Sequence, residues 1–211
     1  MRLYLFIFAG LGIGFAPIAT AQEKTCTFHI YAWNVQSKSA VNRRLVEKPY
    51  SELTPPERDA RTGCSVCLED QRAITLSNGV KFQMCNLLAE RTEAALNNLL
   101  LRGETIDSVT GYRVGLTRGA VDSMGNRTDY SNHSFGIALD INADQNGLYG
   151  NCIEFNAGCK LRKGGRWQPS QPGGLHKNKP TVRALESIGL KWGGEINGRQ
   201  KDFMHFSPSG Y

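Results

Sequence analysis

The sequence predicts an α+β domain in which short strands alternate with two helices, and three observations carry that prediction. Strand-like runs of period two recur along the chain, and one pair is joined by a marked hairpin turn. Residues 86–102 repeat apolar positions at helical spacing. A second helical run opens at Pro180 and ends at Gly189. The chain has 211 residues, enough to bury one core, and it contains no heptads, internal repeats or low-complexity tracts.

Residues 1–21 stand apart. Arg2 precedes an apolar run to Ile18, and Ala19-Thr20-Ala21 offers a small-x-small cleavage site before Gln22. That pattern predicts a secretory leader, and the run is too short and glycine-rich for a membrane span. The expected organisation is a leader over 1–21, a disulfide-pinned extension over 22–70 and a main domain over 71–211. No stable membrane insertion is expected once the leader is removed.

All six cysteines (Cys26, Cys64, Cys67, Cys85, Cys152 and Cys159) lie beyond the leader. An even count in an exported chain reads as disulfides, with Cys152–Cys159 expected as a local staple. The net charge is +6, and loss of Arg2 leaves +5. That modest basic excess suits nucleic acid, an anionic wall or acidic peptides, and export favours the envelope over nucleic acid.

Taking the elements in order, residues 27–34 alternate Phe28, Ile30 and Ala32 against His29, Tyr31 and Trp33, which predicts a strand. Residues 35–62 are polar and proline-containing, and they read as irregular. Within them, Thr54-Pro55-Pro56-Glu57 has the form of a capping box opening a short helix. Ser77-Asn78-Gly79 between apolar alternations predicts a hairpin. In the 86–102 helix, Leu88, Thr92, Ala95, Leu96 and Leu99 share a face, and Gly103 ends it. Residues 108–114 form another short strand, with Arg113 and Tyr112 on opposite sides. Residues 142–180 lack periodicity. Their basic stretch holds Lys160, Arg162, Lys163, Arg166, Lys177 and Lys179, and so long a loop is commonly functional.

The chemistry centres on residues 131–141. His133 and Gly136 precede an alternating run in which Ile137, Leu139 and Ile141 face one way and Asp140 the other. A carboxylate on a buried strand is costly unless something positive meets it. Further on, Asp202-Phe203-Met204-His205-Phe206 is a second apolar run with an acid and a histidine. Two histidines and a carboxylate suit zinc, with a fourth position left open.

Ser131-x-His133-x-x-Gly136-x-Ala138-x-Asp140, then Trp192-Gly193-Gly194, then Asp202-x-x-His205-Phe206 resembles the D-alanyl-D-alanine carboxypeptidase (VanY-type) family of zinc peptidases, which includes L-alanyl-D-glutamate endopeptidases. The resemblance spans roughly residues 86–208. It implies a small antiparallel sheet carrying the zinc site with helices packed on it, in a D-Ala-D-Ala carboxypeptidase/hedgehog-like fold. It also implies zinc-dependent hydrolysis of a peptidoglycan or muropeptide amide bond, in the periplasm or outside the cell. His133, Asp140 and His205 are the implied ligands. Asp202 is the implied general base, with Glu195 as rival. Strict strand parity would turn Asp202 away from His205, so the reading requires a bend between them. Arg113 matches an arginine that steadies the carbonyl oxygen, with Arg118 as the alternative. Ser131 and Tyr112 are expected to line the cleft or to support the ligands from behind. His176 is left out of the ligand set.

Two other classes compete. Fe(II) oxygenases also use two histidines and a carboxylate, but generally as His-x-Asp, whereas six residues stand between His133 and Asp140. A non-catalytic, zinc-stabilised wall-binding module on the same fold is the second. Asp202 discriminates, because a binding module needs no acid beside the metal.

Overall fold

The computed structural model describes residues 23–211, so the predicted leader lies outside the described residues. The chain is a mixed α+β protein of small sheets with two helices. β1 (Thr25–Asn34) and β2 (Ser39–Pro49) form an antiparallel hairpin. β3 (Gln71–Thr75) and β4 (Lys81–Cys85) form the expected second one, turning at Asn78-Gly79. The capping box at Thr54 is present, and Glu57 Oε2 accepts from the Thr54 backbone and hydroxyl.

β4 leads directly into α1 (Asn86–Leu101), whose Leu88, Thr92, Leu96 and Leu99 are buried as the spacing predicts. β5 (Val109–Thr110), β6 (Val114–Val121) and β7 (Arg127–Tyr130) follow. β8 (Leu139–Ile141), β9 (Leu148–Gly150) and β10 (Lys160–Lys163) come next. α2 (Pro180–Ser187), β11 (Lys191–Trp192), β12 (Gln200–Asp202) and β13 (His205–Ser207) complete the described chain.

Three sheets meet around the site. One has the order β11-β13-β8-β5 and is antiparallel throughout. Another has the order β10-β9-β12. The third, β2-β1-β6-β7, joins β1 to β6 in parallel, with Tyr31 opposite Gly115. Leu96 and Leu99 of α1, Val182 and Leu185 of α2, and Ile137, Leu139, Ile141 and Phe206 belong to one buried core. The apolar sides of β1, β8 and the two helices were legible in their periodicity, and burial of those sides holds the small sheets together.

Two expectations are corrected. Residues 39–49 are not irregular but form the edge strand β2. Partnership with β1 supplies the backbone hydrogen bonds that the polar side chains gave no hint of. Residues 142–180 are not structureless either. β9 and β10 pair across a turn stapled by Cys152–Cys159, and Trp167 stacks on Phe203 with ring centroids 3.8 Å apart. The buried Asn142 and Asn146 both donate to the Gly173 carbonyl, and Asn146 Oδ1 accepts from Leu175 N–H. Those bonds tie the basic segment to the end of β8.

The other disulfides are Cys26–Cys67 and Cys64–Cys85, and no cysteine is free among the described residues. They close sequence separations of 41 and 21 residues. Loop-closure entropy alone makes such bonds worth about 4 and 3 kcal/mol. No helix among the described residues is long and apolar enough to cross a membrane.

Candidate metal centre

Asp140 sits in the middle of β8, directly opposite His205 of β13. The Asp140 side chain leaves the apolar face formed by Leu139 and Ile141, as alternation requires. His133 arrives from a 3-10 turn, Asn132–Phe135, ended by Gly136 in the left-handed region at φ 64°. A Cβ on Gly136 would also stand 2.5 Å from the Cys85 nitrogen, so the motif glycine both reverses the chain and lets it touch β4.

All three side chains are buried. His133 Nε2 and His205 Nδ1 each lie 3.0 Å from Asp140 Oδ1. His133 Nδ1 lies 2.8 Å from the Gly111 carbonyl. A carbonyl can only accept, so Nδ1 carries a proton. Nε2 then faces the carboxylate either as the second N–H of an imidazolium or as a lone pair open to a metal ion. The three ligand atoms lie within 4.8 Å of one another. Ligand atoms of a tetrahedral zinc site stand roughly 3.3 Å apart, so this donor set fits such an ion.

Electrostatics agree with a shared positive charge. Burial works to raise the Asp140 carboxyl, but the charge and hydrogen bonds of His133 and His205 hold it well below the usual range. Burial also pushes His133 down. On the other carboxylate oxygen, Lys163 Nζ stands 3.3 Å and Arg113 Nη2 3.5 Å from Asp140 Oδ2.

The centre opens into a cleft of about 490 Å³. Arg113, Ser131, Asp202 and the three metal-site residues line it. Between β12 and β13 the chain turns at Phe203-Met204 and passes from one sheet to another. That turn is the bend the sequence reading required, and it lets both Asp202 and His205 face the cleft. Trp192 Nε1 donates to the Phe203 carbonyl at 2.8 Å and fixes the turn. Asp202 Oδ1 is buried and has no hydrogen-bond partner among the described residues. Burial pushes its carboxyl up to about 6.

Not every expected residue reaches the cleft. Glu195 pairs with Lys177 at 2.7 Å in a separate groove and does not line the metal cleft. Tyr112 is corrected as well. It turns to the side opposite Arg113 and donates its hydroxyl to the Val66 carbonyl at 2.6 Å, pinning the N-terminal segment instead of lining the cleft. Burial raises its phenol further above the ordinary range.

Residues 124–208 match the D-alanyl-D-alanine carboxypeptidase family. That match supports a peptidase function and covers all three metal-site residues and Asp202, but not Arg113. No curated protein and no solved structure matches the chain.

Sequence reasoning missed Tyr31 and Trp33 as cleft residues, and it named Lys163 only as one of the basic stretch. Tyr31 Oη accepts from Arg113 Nη1 at 3.1 Å. The signal for the aromatic pair was present, since alternation had put both on the face of β1 turned away from its core.

Proposed function

We propose that the chain is a zinc-dependent peptidase that hydrolyses an amide bond in peptidoglycan stem peptides, of D-alanyl-D-alanine carboxypeptidase or L-alanyl-D-glutamate endopeptidase type. The family match supports the substrate class. The observation that carries hydrolysis is Asp202: a carboxylate with a buried, unpartnered oxygen in the same cleft as the His133, Asp140 and His205 cluster. Leaving such a group unpaired is costly, and a zinc-stabilised binding module would gain nothing by it.

His133, Asp140 and His205 would hold the ion, which when bound polarises a carbonyl and makes water more acidic. Asp202 takes a proton from the attacking water and returns it to the amine nitrogen as the amide carbon–nitrogen bond breaks. Arg113 is held near the centre by Tyr31 and Asp140, and its guanidinium donates to the carbonyl oxygen as that oxygen gains charge. Ser131 offers a hydroxyl from the cleft wall. The disulfides fit an oxidising compartment, and the reading carries with it export to the periplasm or beyond the cell.

Digestion of purified muropeptides followed by mass spectrometry tests the reading. Loss of a terminal D-alanine identifies the carboxypeptidase, and cleavage after L-alanine the endopeptidase. If every muropeptide stays intact in the presence of zinc, the binding module becomes the better account.

A further inference from the structure

Phe155 lies between the two cysteines of the Cys152–Cys159 staple, and its ring is 43% exposed. Trp167 lies in the loop between β10 and α2 and is only partly buried. With Phe203 they line a groove of about 390 Å³, within the roughly 300–1,000 Å³ of small-molecule sites. The groove is separate from the metal cleft but shares a wall with it. In β12, Gln200 and Asp202 line the cleft while Lys201 between them lines the groove, as strand alternation requires.

Trp167 is fixed at three points. Its backbone N–H donates to the Tyr149 hydroxyl at 2.8 Å, and its indole N–H to the Leu175 carbonyl at 2.8 Å. One ring face lies flat on the buried Phe203, with centroids 3.8 Å apart. Phe155 stands 4.7 Å from the Trp167 centroid and 5.4 Å from that of Phe203, nearly perpendicular to both. A ring lying over the outer face of Trp167 would be farther than that from Phe203, so Phe155 flanks the stack and does not cover it. With its polar N–H committed inward, Trp167 offers the groove a ring face.

Much of the remaining lining is polar. Lys177 Nζ and Glu195 form an exposed pair at 2.7 Å. Such a pair adds little to stability, and it sets a donor beside an acceptor. Asn178 Oδ1 accepts from Arg183 at 3.1 Å, which leaves its Nδ2 to donate. A flat apolar guest would leave these groups unpaired, and an anion would meet Glu195. A pyranose ring suits both parts of the lining. Its C–H face carries partial positive charge and packs on the negative face of an indole, while its hydroxyls both donate and accept.

We propose that this groove is a saccharide site for a pyranose ring of the peptidoglycan glycan strand, with Trp167 beneath the ring and Asn178, Lys177 and Glu195 meeting its hydroxyls. The choice of glycan rests on the peptidase reading and deepens it, since the site holds the enzyme on the polymer whose stem peptides enter the cleft.

The test uses the full zinc-loaded protein and two probes: chitotetraose, a chain of β-1,4-linked N-acetylglucosamine, and peptidoglycan glycan strands stripped of their peptides. Calorimetry should show saturable binding of both. Trp167→Leu and Asn178→Ala should each weaken it about 3- to 10-fold with zinc content unchanged, the worth of one aromatic contact or one hydrogen bond. The chain has three tryptophans, so their indole N–H resonances report where the sugar sits. That of Trp167 should shift on titration, and that of Trp33, in the metal cleft, should not. If Trp167→Leu does not fold, this shift and Asn178→Ala carry the test. No saturation up to about 10 mM, undiminished affinity in the variants, or movement of Trp33 in place of Trp167 would overturn the site. Binding of chitotetraose but not of the stripped strands would overturn the assigned ligand. Sugar binding without muropeptide cleavage would sink the peptidase reading and keep the site, and cleavage without sugar binding would do the reverse.

Discussion

Asp202 is unusual in that its loss should improve stability while abolishing function. Burial raises its carboxyl from 3.8 to about 6. Because the folded value lies above the unfolded one, the native state holds its proton more tightly. The wild type is therefore unpenalised below pH 4, loses stability as pH rises to 6, and stays penalised above. Two units correspond to a ceiling of about 3 kcal/mol, and the partial exposure of the side chain discounts that to about 2 kcal/mol. Asp202→Asn keeps the shape and removes the charge. In chelator-treated protein it should melt roughly 4–8 °C above the wild type at pH 8 and level with it near pH 3. The zinc-loaded variant should meanwhile lose turnover on muropeptides by about 10²–10⁴-fold. Denaturation curves at the two pH values, beside a muropeptide assay, decide the matter. A variant whose advantage over the wild type is no larger at pH 8 than at pH 3 would refute the buried, unpartnered carboxylate. One that cuts at the wild-type rate would refute its role as base.

Other perturbations separate the remaining roles. Asp140→Ala should lose zinc, measured by elemental analysis, and lower the melting temperature of protein purified with metal, because binding is coupled to folding. Arg113→Gln should retain zinc and lower kcat by about 10²–10³-fold in steady-state assays, as expected when a carbonyl-oxygen donor is removed. Lys163 opposes a metal's charge at Asp140 Oδ2 but is half exposed, so Lys163→Met should tighten zinc only about two- to five-fold in a chelator competition. A large loss of zinc affinity there would mean that Lys163 supports the site.

The helices and the β3–β4 hairpin were legible because periodicity and an Asn-Gly turn are local signals. That His133, Asp140 and His205 form a group that could hold a metal was legible because they sit in two short runs, although their approach to 3.0 Å needed β8 and β13 to pair. The turn at Phe203-Met204 could be demanded but not seen, since it arises where one chain segment leaves β9 for β8. The N-terminal sheet was the larger omission. Its parallel pairing of β1 with β6 joins residues far apart in sequence, and no local pattern records such a partner. Tyr112 failed for a related reason. It lies in the link between β5 and β6, where its hydroxyl is drawn to the Val66 carbonyl, a partner far away in sequence.

The central claim is that one bound zinc ion and the cluster of His133, Asp140 and His205 together make this chain a peptidase. Titrating zinc into chelator-stripped protein while following muropeptide cleavage tests it most directly. The account predicts no cleavage without metal and a rate that rises to a plateau at one equivalent of zinc. Cleavage that persists without metal, or full zinc binding with no cleavage, would contradict it.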